Sequence, residues 1–451
     1  MQHLLRYTII ILLAAVQIMP ATAQRKQRDA RAQAAFEAGA YFEAIDLFKK
    51  VYNRVDREQK TEIFFKIGEC YRILGETRQA LLWYKKAVRE DYQDPVLYLR
   101  FGQMLLVNEE YEEALEEFKR YQELVPDDPR GAVGIESCEA AVMWLENPTG
   151  YIVENMRYFN SRQRDFSPAL LNESYTELLF TSTREDATGN ETHGATGENF
   201  ADLFISTMDR KGKWSVPVPM ESLNSEFEDG TPSISSDFST LSFTRCKKGK
   251  NQELGCQIYK STAQGTDWGE PELLFEVLGD SVTTAHPAIS PDGLTMYFVS
   301  DMPGGLGEKD LWMVTRESQS AGWSEPENMG EEINTPGNEL YPYVHPDGTL
   351  YFSSDSRVGL GGLDIYKATR DELGGWNLEN LKPPINSPAD DFGIVFEADR
   401  ERGFFSSSRR GRGNDDLFSF VLPPLEFSVT GVVRDERNDQ SLPRSSVRSV
   451  G

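Results

Sequence analysis

Two internal repeats of different period constrain this chain more than any other feature. Gly68 recurs as Gly102, Ala80 as Ala114 and Tyr84 as Phe118, each 34 residues on. A fixed period of this length marks helix pairs stacked as a solenoid. Further on, "PDGTLYFSSDSRVGLGGLDIY" at 346–366 is echoed 55 residues earlier by "PDGLTMYFVSDMPGGLGEKDLW". Earlier copies are "SSDFSTLSFTRCKKGKNQELGCQIY" and "LNESYTELLFTSTRE" with a later "ADLFI"; "ADRERGFFSSSRRGRGNDDLF" ends the series, making five. Short strands and turns at a period near 50, four strands to a repeat, predict a β-propeller of five blades. The innermost strands open at Pro168, Pro232, Pro287, Pro342 and Gly393, and "GYIVENMRYFN" stands where a strand could close the ring on the last blade. "EDATGNETHGATGENF" is a polar insertion in the first copy.

The glycines of 346–366 are turn residues, with Gly348 in an Asp-Gly hairpin turn and "GLGG" in the next one. A phosphate loop would run from strand through glycines into a helix with a lysine, and here a strand follows. With a formal charge of −25, sequence-independent nucleic-acid binding, which needs a positive face, is not expected.

At 451 residues the chain has room for two to four domains. "MQHLLR", the apolar run "YTIIILLAAVQIM" and Ala21-Thr22-Ala23 read as a signal peptide over 1–23, cleaved before Gln24, the alternative being a retained anchor. No cysteine follows the apolar run, so a lipidated mature end is not expected, and export to an oxidising compartment is. There Cys246 and Cys256, flanking a polar turn between two strands, predict a disulfide that closes a hairpin. Cys70 and Cys138 lie 68 residues apart, twice the helical period, and are expected unpaired in equivalent packing slots.

The helical repeat resembles the tetratricopeptide family through Gly68, Tyr71, Ala80, Tyr84 and Ala87, with a degenerate earlier copy at Gly39, Tyr41, Ala44 and Phe48. The resemblance implies a concave groove presenting Phe65, Glu69, Arg72, Leu99, Gln103 and Leu106 to a peptide or partner helix. The alternative is that the array packs on the next domain and buries the apolar members there. The second repeat resembles the WD40-like PD40 units of exported bacterial propellers. The expected fold is multidomain α + β: an α-solenoid over 24–148, an all-β propeller over 149–424 and the start of a β-sandwich over 425–451.

The chain carries no G-x-S-x-G, H-E-x-x-H or paired C-x-x-C motif, and neither metal nor cofactor is expected. One constellation recurs with the blades. Asp165, Asp229, Thr284, Glu339 and Asp390 stand three residues before the prolines or Gly393, with Arg184, Arg245, Arg357 and Arg409 on the same face. They read either as ion pairs bracing neighbouring blades or as a recognition rim, whose enzymatic version is a glycosidase using two carboxylates. Asp202, Asp310, Asp364 and Asp416 come one to a blade, too sparse for calcium, and are expected to hydrogen-bond within it.

The closing "EFSVTGVVRDERNDQSLPRSSVRSVG" is similar to the first strands of a carboxypeptidase-regulatory-like sandwich at Thr430-Gly431-Val432-Val433 and Leu442-Pro443. This domain order resembles the periplasmic OmpA-family proteins of Bacteroidota, among them a type IX secretion component. The resemblance implies a scaffold associated with the outer membrane, without enzymatic activity, that binds protein partners of the envelope machinery. Peptidoglycan would enter only through an OmpA-like domain that these residues do not include. The alternative expectation is an exported glycan-binding or glycan-cleaving propeller.

Overall fold

A computed structural model describes residues 21–188, 192–193, 196–248, 253–265, 267–275, 282–398, 400–424 and 432–442. Most of the predicted signal peptide and of the sandwich-like tail lies outside them. Among the described residues no helix is long and apolar enough to cross a membrane.

Seven helices come first: α1 (Ala21–Glu37), α2 (Tyr41–Val51), α3 (Arg57–Ile73), α4 (Thr77–Arg89), α5 (Val96–Val107), α6 (Tyr111–Leu124) and α7 (Pro129–Glu146). Asp56 caps α3 through the Gln59 N–H at 3.0 Å, and Asp128 caps α7 ahead of Pro129. The 34-residue period has a direct physical cause. A Cβ on Gly68 would meet the Tyr84 ring at 2.6 Å, and one on Gly102 would meet Phe118 at 3.0 Å. Each helix pair thus seats an aromatic ring on a bare backbone, and the unit recurs because the crossing does. Cys70 and Cys138 are buried and free in the same core.

Five antiparallel sheets follow. After β1 (Ile152–Asn155), the first blade is β2 (Asp165–Leu170), β3 (Glu177–Ser182), β4 (Asp202–Thr207) and β5 (Val218–Pro219). The second is β6 (Glu228–Ile234), β7 (Thr240–Lys248) and β8 (Glu253–Gln264), with the short β9 (Asp267–Trp268) and β10 (Glu272–Leu273) both paired to β8. The third is β11 (Thr284–Ile289), β12 (Thr295–Ser300), β13 (Asp310–Thr315) and β14 (Glu327–Asn328). The fourth is β15 (Glu339–Val344), β16 (Leu350–Ser354), β17 (Asp364–Arg370) and β18 (Trp376–Asn380). The fifth is β19 (Asp391–Phe396), β20 (Arg402–Ser407) and β21 (Asp416–Val421), and β1 is its fourth strand, with Ile152 opposite Val421 and Asn155 opposite Phe418. The ring is therefore closed by a strand from the other end of the propeller's chain.

One cross-strand aromatic pair recurs at the same register in every blade: Phe180–Phe204, Phe243–Tyr259, Phe298–Trp312, Phe352–Tyr366 and Phe405–Phe418. These pairs are buried and form the blade cores.

Cys246 and Cys256 are opposite each other on β7 and β8 and are disulfide-bonded. Burial pushes the Cys70 and Cys138 thiols up to about 12, which suppresses the reactive thiolate. Peptide mapping of non-reduced protein should recover Cys246–Cys256 as one linked pair, with Cys70 and Cys138 alkylated only after unfolding. Alkylation of Cys70 in the native chain would contradict this packing.

The helical array docks on one end of the propeller. Arg100 on α5 pairs with Glu308 of the third blade at 3.0 Å, and the Gly359 N–H donates to Ser137 Oγ on α7 at 3.1 Å. The "GLGG" turn lies directly on α5, where a Cβ on Gly361 would come within 3.2 Å of the Val107 backbone. The glycines that the sequence marks as turn residues also make the joint between the two halves. Among residues 432–442 the structure shows one isolated bridge, Arg434 to Ser441.

Candidate functional site

The recurring acids are the first or second residues of the innermost strands, not residues ahead of them, and the prolines lie inside those strands. In the last blade the equivalent residue is Asp391, so the assignment of Asp390 is out of register by one. That blade lacks the proline, and Ile394 takes its place. Gly393 instead occupies a bulge that Ser167, Thr231, His286 and Tyr341 fill elsewhere, all at positive φ. The bulge N–H groups of Ser167, Thr231, His286 and Tyr341 donate to side chains of the neighbouring blade, Ser406, Thr181, Thr244 and His286. A strained residue in four of the blades is thus held by a contact between blades.

Asp165, Asp229, Glu339 and Asp391 are fully buried. Asp165 pairs with Arg184, Asp229 with Arg245 at 2.6 Å and Asp391 with Arg409 at 2.5 Å. Each of these arginines also lies over its blade's aromatic pair. Arg357 differs, since it donates to the carbonyls of Glu332 and Ile333 without an ion pair to Glu339, and burial pushes the Glu339 carboxyl up to about 7. These carboxylates present no rim to solvent; they are struts beneath it.

A motif missed in the sequence completes the strut. Asn160-Ser161, Asn224-Ser225, Asn334-Thr335 and Asn386-Ser387 each precede the acid by the same interval, and the Ser or Thr N–H donates to that acid. The asparagines clamp both backbone groups of Leu417, Leu203, Leu311 and Ile365 in the preceding blade. Those residues directly follow Asp416, Asp202, Asp310 and Asp364, which accept backbone N–H groups of their own blade's turn. The spacing Asn-Ser/Thr, then an acid four residues on, was the available signal.

Between the helical array and this end of the propeller is a cleft of about 960 Å³. Arg72, Arg100 and Gln103 line its helical wall; Lys309, Asp355, Asp390 and Arg410 line the propeller side. The predicted groove residues therefore divide. Arg72 and Gln103 reach the cleft, Leu99 and Leu106 are buried within the chain, and Phe65 stacks on Tyr92 at 5.0 Å. Although burial opposes it, Arg72 and Arg100 hold the Glu69 carboxyl below its usual range, and Glu69 in turn fixes Arg72 at 2.9 Å. A groove open to a partner is not what these residues form, because the chain's own propeller faces it.

Two of the cleft's carboxylates, Asp355 and Asp390, come from adjacent blades. Asp355 is held by the Asn338 backbone and side-chain N–H groups, both at 2.9 Å. Asp390 accepts the Leu363 N–H at 2.8 Å and, among the described residues, pairs with no cation. Burial, helped by the neighbouring Asp415, Asp391 and Asp355 charges, pushes its carboxyl up to about 6. Nearby, Arg164 ties the first blade to Asp415 at 3.3 Å, to Glu198 at 3.2 Å and to the Leu74 carbonyl of the helical array at 3.4 Å. Deeper in the channel, Tyr341 stacks on His286 at 4.1 Å and on Phe392 at 4.5 Å, and burial holds His286 down to about 3. Among the described residues no three His, Cys, Asp or Glu side chains converge to hold a metal ion.

No protein-family model matches the chain, and no curated protein does. Similar solved structures exist. A thermostable family-43 glycoside hydrolase is 15% identical, with 66% of this chain and 99% of that one covered and a TM-score of 0.39. The alpha-L-arabinofuranosidase of Podospora anserina in complex with cellotriose is 12% identical, over 57% and 90%, at 0.37. A puromycin-hydrolysing peptidase of Mycobacterium tuberculosis is 12% identical, over 55% of this chain and 35% of that one, at 0.33. The expectation of a chain without enzymatic activity is corrected to an open one: hydrolases are among the similar structures, at identities that show the fold alone. The chain itself is a five-bladed β-propeller with a helical N-terminal part.

Proposed function

We propose that this protein binds and cleaves a glycan in the cleft between its helical array and its propeller. The observation that carries this reading is Asp390, a half-buried carboxyl at the edge of a large polar cleft, without an ion-pair partner among the described residues and pushed up to about 6. A carboxyl raised into that range holds a proton at mildly acidic pH and can give it up, which is what a general acid needs. Asp390 protonates the glycosidic oxygen, and Asp355 across the blade junction activates water or attacks the sugar ring. Arginine, glutamine and asparagine side chains on the walls supply planar donors for sugar hydroxyls and acidic groups.

The cellular setting belongs to the same proposal. The disulfide supports an exported, periplasmic protein, in keeping with the signal-like N-terminus and the resemblance to OmpA-family envelope proteins. Release of new reducing ends from a panel of polysaccharides is the test. Wild-type protein should produce them, and Asp390→Asn should lower the rate by about 10²–10⁴-fold with the fold intact. Folded wild type that releases nothing across the panel, or a variant as active as wild type, would overturn the reading.

A further inference from the structure

The strand that closes the ring also assembles a surface of one charge. Residues 157–162 follow β1, residues 410–412 lie in the turn between β20 and β21, and the β1–β21 pairing brings the two together. Arg412 donates to the Arg157 carbonyl at 3.4 Å. The neighbouring Gly413 sits so close to the Gln163 carbonyl that a Cβ there would overlap it. Arg157, Arg162, Arg410 and Arg412 are all exposed, and no acidic partner is seen for them among the described residues. The adjacent Arg164 and Arg409 are, by contrast, committed to Asp415, Glu198 and Asp391. Four unneutralised guanidinium groups thus gather at one place on a chain whose net charge is −25. Tyr158, 96% exposed, stands among them.

We infer that this seam is a docking surface for an acidic polysaccharide, guiding a carboxylate-bearing glycan towards the cleft. The inference rests on the glycan reading of the cleft, to which it is joined by Arg410, a residue of both surfaces. Guanidinium forks match carboxylates bidentately, and an exposed tyrosine ring offers a face for a sugar ring. A membrane surface fits less well. The exposed apolar residues of this strand pair, Ile152, Val421 and Leu422, are at its opposite end, so nothing aliphatic accompanies the arginines into a bilayer.

The test compares the full chain with the triple variant Arg157→Gln/Arg162→Gln/Arg412→Gln. Binding is titrated against alginate, a polyuronate, against neutral xylan and against vesicles containing phosphatidylglycerol, at low and high salt. Wild type should bind alginate at least about tenfold more tightly than xylan at low salt, lose that preference at high salt, and lose about tenfold or more of it in the triple variant. Xylan binding and the thermal midpoint should not change. Equal affinity for the two polysaccharides, or an unaffected triple variant, would overturn the docking surface while leaving the cleft reading in place. Vesicle binding without alginate binding would overturn it in favour of a lipid surface. Absence of binding and cleavage with every polysaccharide would remove the cleft reading, and this inference with it.

Discussion

Arg409→Leu should destabilise the propeller by about 3–5 kcal/mol, whereas Arg410→Leu one residue on should change stability by less than about 0.5 kcal/mol. The two side chains are sequence neighbours with opposite environments. Arg409 pairs with the fully buried Asp391, donates to the Pro384 and Ile385 carbonyls, and covers the Phe405 and Phe418 rings. Arg410 is exposed at the cleft. Leucine at 409 keeps much of the volume but strands a carboxylate out of water and leaves two carbonyls without a donor. Chemical denaturation at pH 8 measures the loss, which in a domain of this size is roughly 10 °C of midpoint. The deficit should shrink at pH 5, because the stranded Asp391, already raised by burial, can then take a proton. A cost below about 1 kcal/mol at pH 8 would show that the blades stand without their struts.

Asp390→Asn should have the opposite sign, stabilising the chain by about 2 kcal/mol at pH 8 and not at all at pH 4. Unfolded, this carboxyl ionises near 3.8; folded, near 6. The native state therefore binds the proton more tightly. Its favourable contribution is complete below pH about 4 and is lost as pH rises through about 6, where burial and the Asp415, Asp391 and Asp355 charges oppose ionisation. Asparagine carries no charge at any pH and escapes that loss. Denaturation midpoints of the two proteins across pH 4–8 check the shape of the curve. A gain independent of pH would mean that Asp390 is not a strained carboxyl. The substitution expected to end the proposed cleavage is thus also expected to strengthen the fold, the trade-off found where a site holds a charge its surroundings resist.

The two periods, and the architectures they belong to, could be read from the residues alone. The helical period was legible because Gly68 and Tyr84 touch, and Gly102 and Phe118 touch the same way one repeat later. The blades were legible because a hairpin with an aromatic on its third strand returns five times, and Cys246 and Cys256 because they stand only 10 positions apart. The closing strand could be picked out by its place before the first blade. The register of the last blade could not, since Ile394 stands where the other blades have proline and two adjacent aspartates fit the pattern equally well. Nor could the alphabet of residue types show that Ser167, Thr231, His286 and Tyr341 share a left-handed bulge with Gly393, a conformation that the four side-chain-bearing residues hold by donating hydrogen bonds to the preceding blade. The cleft was beyond sequence reading altogether. Arg100 and Glu308, or Ser137 and Gly359, are separated by more than two hundred residues of chain and meet only when two finished surfaces dock. Tertiary structure therefore decided that the helical groove faces the chain's own propeller, and that Asp390, outside the register of the struts, is a cleft carboxyl without an ion-pair partner among the described residues: periodic contacts write themselves into the sequence, while a joint between two domains is made once and leaves no repeat to read.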